Sequence, residues 1–130
     1  MSIPRAVARA NRHLLNPIVR RIAGKVPPFI LIRHVGRSSG KTYETPIMAF
    51  RTADGFVIAM TYGPGTDWQR NLEAAGHAIA VYRRRTWRIA APRLVEGDPK
   101  DQALPRVVQF ALKLLGIRYF LYVTAQSAEE

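Results

Sequence analysis

The chain contains no cysteine, and it carries no acidic residue before Glu44. The first absence excludes disulfides, thiolate catalysis and cysteine metal sites, and it agrees with a reducing compartment. The three histidines, His13, His34 and His77, have no ligand spacing, so no metal is expected. No apolar run nears the roughly 20 residues that span a bilayer, and the first residues lack the short apolar core and cleavage site of a secretory signal. The expectation is a soluble, cytoplasmic protein. No paired acids and no nucleophile with its base are visible, which disfavours hydrolysis. Neither an internal repeat nor a linker divides the chain, so residues 1–130 read as one domain.

What is abundant is positive charge, +11 in all. Arg5, Arg9, Arg12, Arg20, Arg21, Lys25, Arg33, Arg37 and Lys41 precede the first acid. Such a field concentrates polyanions, whether nucleic acid, an anionic leaflet or a small ligand with several charges. Residues 1–25 form a basic amphipathic segment, with Val7, Ala10, Leu14, Ile18 and Ile22 at helical spacing and Asn16-Pro17 dividing it into two helices. It either packs on its own domain or lies on an anionic membrane surface at the inner face of the membrane.

The middle is strand-like. Segments 29–35, 45–50 and 56–61 are rich in β-branched and aromatic residues, and Asp54-Gly55 supplies a hairpin turn. Thr66-Asp67-Trp68-Gln69 matches a capping box that opens a short helix ending at Gly76. Strands at 78–83 and 87–95 follow, joined through Arg83-Arg84-Arg85. A helix is expected from Asp98-Pro99 to Gly116, with Leu104, Val108, Ala111, Leu112 and Leu115 on one face, and Pro105 kinks it or moves its start. Residues 119–124 close as a strand before a polar tail. Mostly antiparallel strands with N-terminal, central and C-terminal helices describe an α+β protein built on a small barrel.

Two places can carry chemistry. Gly36-Arg37-Ser38-Ser39-Gly40-Lys41 joins two strands, and it is either a phosphate-gripping nest or a solvated hairpin turn. It is not a Walker loop, because its glycines enclose three residues and no helix follows. In Met60-Thr61-Tyr62-Gly63-Pro64-Gly65-Thr66 a strand end, a glycine loop and a helix start meet, so amides and a helix dipole converge. Trp68 and Asn71 are neighbours on that helix, a flat apolar surface beside an amide, or a core tryptophan beside a satisfied asparagine.

Taken in order, Val35 to Lys41, Thr45-Pro46, the strand ending at Thr61 and Trp68-Gln69-Arg70-Asn71-Leu72 resemble the deazaflavin-dependent nitroreductase family, split β-barrel proteins that use coenzyme F420. The resemblance runs from about Phe29 to Val95. It implies that Arg37, Ser38, Ser39, Gly40, Lys41 and Thr42 hold the phosphate and glutamate tail. It places Met60, Thr61, Tyr62, Gly63, Trp68 and Asn71 beside the deazaflavin ring. The loop Tyr62-Gly63-Pro64-Gly65 is shorter than in several relatives and lacks their lysine. The implied activity is hydride transfer from reduced F420 to a quinone, enone or nitroaromatic, with FMN as the alternative cofactor. Without cysteine, metal or clustered histidine, the proton donors left are Tyr43, Tyr62, Tyr119 and Tyr122. Pairing of two copies is expected of small barrels of this type. The rival reading is a nucleic-acid or membrane-surface protein without turnover, using Arg83, Arg84, Arg85 and Arg88 with Tyr82 and Trp87 as a stacking platform.

Overall fold

The computed structural model describes residues 28–128. The expected helices within residues 1–25 lie outside them. Strand β1 (Phe29–Val35) turns into β2 (Thr42–Arg51), which turns into β3 (Gly55–Ala59). Helix α1 (Asp67–Ala75) then leads to the hairpin of β4 (His77–Tyr82) and β5 (Arg85–Glu96). A 3-10 turn (Pro99–Asp101), helix α2 (Arg106–Leu114) and strand β6 (Tyr119–Ser127) complete the described chain. The strands close in the order β1-β2-β3-β6-β5-β4, and every neighbouring pair is antiparallel.

Alternation along the strands sends Ile30, Ile32, Phe56, Ile58, Ile89 and Leu121 inward, where all are essentially inaccessible. Strand β3 is covered on its other face too: Val57 packs with Leu104, Leu112, Ile117 and Phe120 beneath α2. Its unbroken apolar run Phe56-Val57-Ile58-Ala59 is what two covered faces require. At Ala90/Arg93 the β5–β6 register shifts by a bulge. Ala91 there has φ 51°, and Pro92, which cannot donate to a ladder, sits at the irregularity.

Four expectations are corrected. Strand β2 begins at Thr42 rather than Thr45, because Val35 and Thr42 pair directly across the turn. Strand β3 ends at Ala59 rather than Thr61, since the chain curls with Thr61 N–H on the Ala59 carbonyl and Gly63 N–H on that of Met60. The C-terminal helix does not run from Asp98. Pro105, with φ -57° and ψ 147°, is the residue before the first helical turn, leaving a separate 3-10 turn capped by the Asp98 carboxylate. Finally β6 continues to Ser127, because Gln126 and Ser127 pair with Arg88 and Trp87.

Two substitutions test this frame. A Cβ at Gly55 would fall on the Val123 carbonyl oxygen, so Gly55→Ala is expected to lower stability in urea unfolding by about 3 kcal/mol. Arg83 and Arg84 close the β4–β5 hairpin with φ of 52° and 65°, the left-handed region that costs side chains about 1 kcal/mol. Arg84→Gly should therefore raise stability by up to that amount in the same measurement.

Candidate functional site: where the barrel splits

Strand β2 pairs with β1 over Thr42 to Met48, but with β3 only at Ala49, Phe50 and Arg51. Beyond that short ladder the two strands part. The gap is a cavity of about 240 Å³, and its walls come from both lips. Pro46, Ile47, Met48 and Phe50 supply the β2 side, while Ile58, Ala59, Met60, Thr61, Tyr62 and Gly63 supply the other. Trp68 of α1 and Val108 and Leu112 of α2 close it. Met48, an apolar residue 45% exposed in mid-strand, marks the opening.

The 60–66 loop owes its shape to its own hydrogen bonds. Met60 N–H donates to the Tyr119 carbonyl, Gly63 N–H to that of Met60, and Gly65 N–H to Gln69 Oε1 at 2.7 Å. These three amides are therefore paired within the chain. The capping box is also altered. Gln69 reaches back to Gly65, and Thr66 makes no side-chain cap. Its Oγ1 is buried at the cavity wall with no hydrogen-bond partner among the described residues. An unpartnered buried hydroxyl is costly and asks for a ligand atom.

The Gly36–Lys41 turn is held from below by Asn71. Asn71 Oδ1 accepts from the Arg37 amide at 3.0 Å and from Arg37 Nη1 at 2.8 Å. Arg37 Nη2 also lies 3.2 Å from Asp67 Oδ1. Asn71 Nδ2 meets His34 Nδ1 at 2.9 Å, and His34 Nε2 meets Thr45 Oγ1 at 2.9 Å. Because the asparagine NH2 can only donate, His34 Nδ1 accepts, and the ring donates from Nε2 to Thr45. Burial lowers the His34 pKa below its ordinary 6.5, opposed more weakly by the Asp67 carboxylate. The neutral ring is the form this network requires.

Within the turn, Gly36 N–H donates to the Lys41 carbonyl and Gly40 N–H to that of Gly36. Lys41 N–H donates to Ser39 Oγ, which also contacts Tyr43 Oη at 3.2 Å. The amides of Ser38 and Ser39 have no partner among the described residues, and Ser38, Lys41 and Thr42 are exposed.

The sequence-derived residues therefore separate. Met60, Thr61, Tyr62, Gly63 and Trp68 share the cavity wall. Asn71, expected beside the ring, does not line it and instead clamps the turn, with Arg37 engaged on Asn71 and Asp67. Of the tyrosines only Tyr62 lines the cavity. Tyr43 stacks on His34 with ring centroids 5.9 Å apart. Tyr119 borders a second recess with Glu96 and Arg118. Tyr122 donates to Gln102 Oε1 at 2.7 Å and accepts from Ala103 N–H, so it is a structural hydroxyl under α2. The stacking platform is not formed either, because Tyr82 and Trp87 turn edge-on to buried Phe56. Sequence reasoning missed the Phe50, Val108 and Leu112 walls and the His34 relay. The one available signal was the apolar run Pro46 to Phe50, which does not alternate as a half-exposed strand should.

A barrel parted along one seam, with an apolar slot in the gap and a cationic turn at the far end of the same strand, defines a split-barrel protein. Residues 3–113 match the F420H(2)-dependent quinone reductase family, and the chain belongs to it. No curated protein matches the chain. A solved F420-H2 dependent reductase, FDR-A, is similar at TM-score 0.52 and 15% identity, over 75% of this chain and 94% of its own. A second solved structure, described as a domain-swapped dimer, is similar at TM-score 0.52 and 14% identity, over 91% and 96%. The protein is an F420H2-dependent reductase and its cofactor is coenzyme F420. The residues present fit that group: an apolar slot for the ring, the lone Thr66 hydroxyl for a polar ring edge, and Lys41 with two unpartnered amides for anions.

The His34 network sets a pH expectation. The unfolded chain takes a proton on His34 at about 6.5, and the folded one only at lower pH. Stability conferred by neutral His34 is therefore complete above that value and lost as pH falls below it. Urea unfolding at stepped pH should show this slope and lose much of it in His34→Gln. Asn71→Ala, which leaves His34 and the Arg37 amide unpaired, should cost about 2 to 3 kcal/mol at pH 7.5.

Proposed function

We propose that the protein reduces a planar, largely apolar carbonyl acceptor, of the quinone class before enones or nitroaromatics, in the cavity where β2 and β3 part. The observation that supports this most is the composition of that wall. Pro46, Ile47, Met48, Phe50, Trp68 and Val108 favour apolar molecules, and Thr66 is the residue of that wall with a buried, unpartnered polar side-chain atom among the described residues.

Coenzyme F420 when bound supplies the hydride, and the chain supplies the setting. Trp68 and Met48 orient the ring by packing, and Thr66 Oγ1 binds a polar atom at its edge. Lys41 and the amides of Ser38 and Ser39 hold the anionic tail, with Thr42 beside them. Six strand steps separate Thr42 from Met48, about 20 Å along β2, so one extended ligand reaches from turn to cavity. Arg37 contributes charge and keeps the turn in place through Asn71. Tyr62, 48% exposed on the cavity wall, stands where an acceptor enters. Its hydroxyl gives a proton to the acceptor oxygen as that oxygen gains charge. Walls from α2 exclude water from the slot.

Titration of the purified protein with oxidised F420 and with FMN, followed by tryptophan fluorescence, tests the binding half. F420 should bind at least about tenfold more tightly, a difference of about 1.4 kcal/mol. Lys41→Ala should weaken F420 and not FMN, by an amount that shrinks with salt, and Thr66→Val should weaken both. Equal affinity for the two cofactors, untouched by Lys41→Ala, would remove the turn from the site. For the chemical half, Tyr62→Phe should lower kcat on a quinone by about 100-fold with F420 affinity unchanged.

A further inference from the structure

The buried polar chain through Asn71 runs in one direction only. The Arg37 backbone N–H and Nη1 donate and never accept, so the asparagine atom 3.0 and 2.8 Å from them must be Oδ1. The amide NH2 then has to face His34 Nδ1, at 2.9 Å, and that nitrogen has to be bare. His34 Nε2, 2.9 Å from Thr45 Oγ1, carries the ring's one proton. His34 and Asn71 are 5% and 4% exposed, so water does not stand in for a lost partner.

We propose that His34 is a positioning residue whose protonation turns the Asn71 amide over and frees the Gly36–Lys41 turn from α1. A second proton on the ring sits at Nδ1, where it meets the asparagine NH2, donor against donor. Reversing the amide restores that bond by bringing Oδ1 to the ring. The same reversal points Nδ2 at the Arg37 N–H and Nη1, which then lose their acceptor. No orientation of Asn71 serves a charged His34 and Arg37 together. The turn's own bonds, Gly36 N–H to the Lys41 carbonyl and Gly40 N–H to that of Gly36, are untouched, so it moves as a unit rather than unravelling. Its remaining polar tie to α1 among the described residues is Arg37 Nη2 on the exposed Asp67 carboxylate at 3.2 Å, which solvent weakens.

The surroundings of the ring set where this happens. Burial, the larger effect, opposes a proton and Asp67 on α1 draws one, so release falls on the acid side of 6.5. Tyr43 of β2 lies over the ring with centroids 5.9 Å apart, Glu44 is paired with Arg33, and His77, which opens β4, is exposed. Arg37 is the cation on the far side of Asn71. His34 is therefore the group of this cluster that changes charge in mildly acidic water. By linkage, whatever the held turn binds expels that proton. The consequence for the cofactor rests on the tail-holding reading above, though the release of the turn does not: as pH falls, Lys41 and the amides of Ser38 and Ser39 hold F420 less firmly.

Amide hydrogen exchange of the full chain without F420, followed by NMR at about pH 7.5 and about pH 5 and corrected for the intrinsic rate, reads the turn directly. In wild type the Arg37 N–H should lose protection at least about tenfold at the lower pH, while the β5–β6 ladder keeps its own. His34→Gln offers an acceptor to Asn71 and a donor to Thr45 but takes no proton. Asn71→Asp offers acceptors alone, to Arg37 and to charged His34 alike. In each variant Arg37 should stay protected at both pH values. Wild-type protection of Arg37 that does not change with pH, or that is lost equally with that of the ladder, would overturn the proposal, as would the same loss in both variants. F420 titration at the two pH values keeps the two readings apart. A fall in affinity confined to wild type supports both, whereas an equal fall in all three proteins, with Arg37 released in wild type alone, keeps the proposal and removes the turn from the cofactor site.

Discussion

The side chain of Asn71 is the contact on which the working geometry depends. It is buried, and its two polar atoms tie helix α1, which no barrel ladder reaches, to the Arg37 turn and to the His34 ring in β1. Buried polar groups that are fully paired define one arrangement, because any shift leaves a donor or acceptor without water. Since Asn71 and Trp68 occupy the same face region of α1, fixing the turn also fixes the tryptophan against the split. The turn and the cavity wall are thus set relative to each other by one residue that is not itself part of that wall. Leu72, fully buried in the barrel core, anchors the same helix from the other side.

The split itself follows from how little β2 and β3 share. In this hairpin of ten- and five-residue strands β3 pairs only with Ala49, Phe50 and Arg51, which leaves the β3-side edge of β2 open from Thr42 to Met48. In water that edge would invite pairing with another strand. Here Pro46 lies within the stretch that β3 leaves, and the 60–66 loop crosses the opening, so the gap stays a slot rather than being zipped closed. The early end of β3 is therefore not a defect in the barrel. It is the condition for having a cavity at all.

Much of this was legible in the residues and some was not. The bounds of β1, the Gly76 stop of α1 and the hairpin at Asp54-Gly55 are local signals, and local physics decides them. The turn and the tryptophan helix were recognisable for the same reason. What could not be read was which polar groups would meet across the fold. Asn71 and Trp68 look equally exposed to a ligand from their spacing alone, yet a histidine 37 residues away takes the asparagine inward. Tyr122 fits a proton donor by type until Gln102 captures it. The walls from α2 were invisible because Pro105 displaces that helix, and helix placement on a barrel is a long-range outcome.

Charge tells a parallel story of allocation. Arg33 is paired with Glu44, Arg37 with Asp67, and the guanidiniums of Arg51 and Arg93 lie over aromatic faces. Those cations already have partners within the fold. Lys41 stands apart, exposed at the end of the turn without a carboxylate partner among the described residues. The field of the whole chain, +11 in sum, acts on polyanions over a distance and does not depend on which single cation is left unpaired, so long-range attraction and close contact are separate properties of this surface.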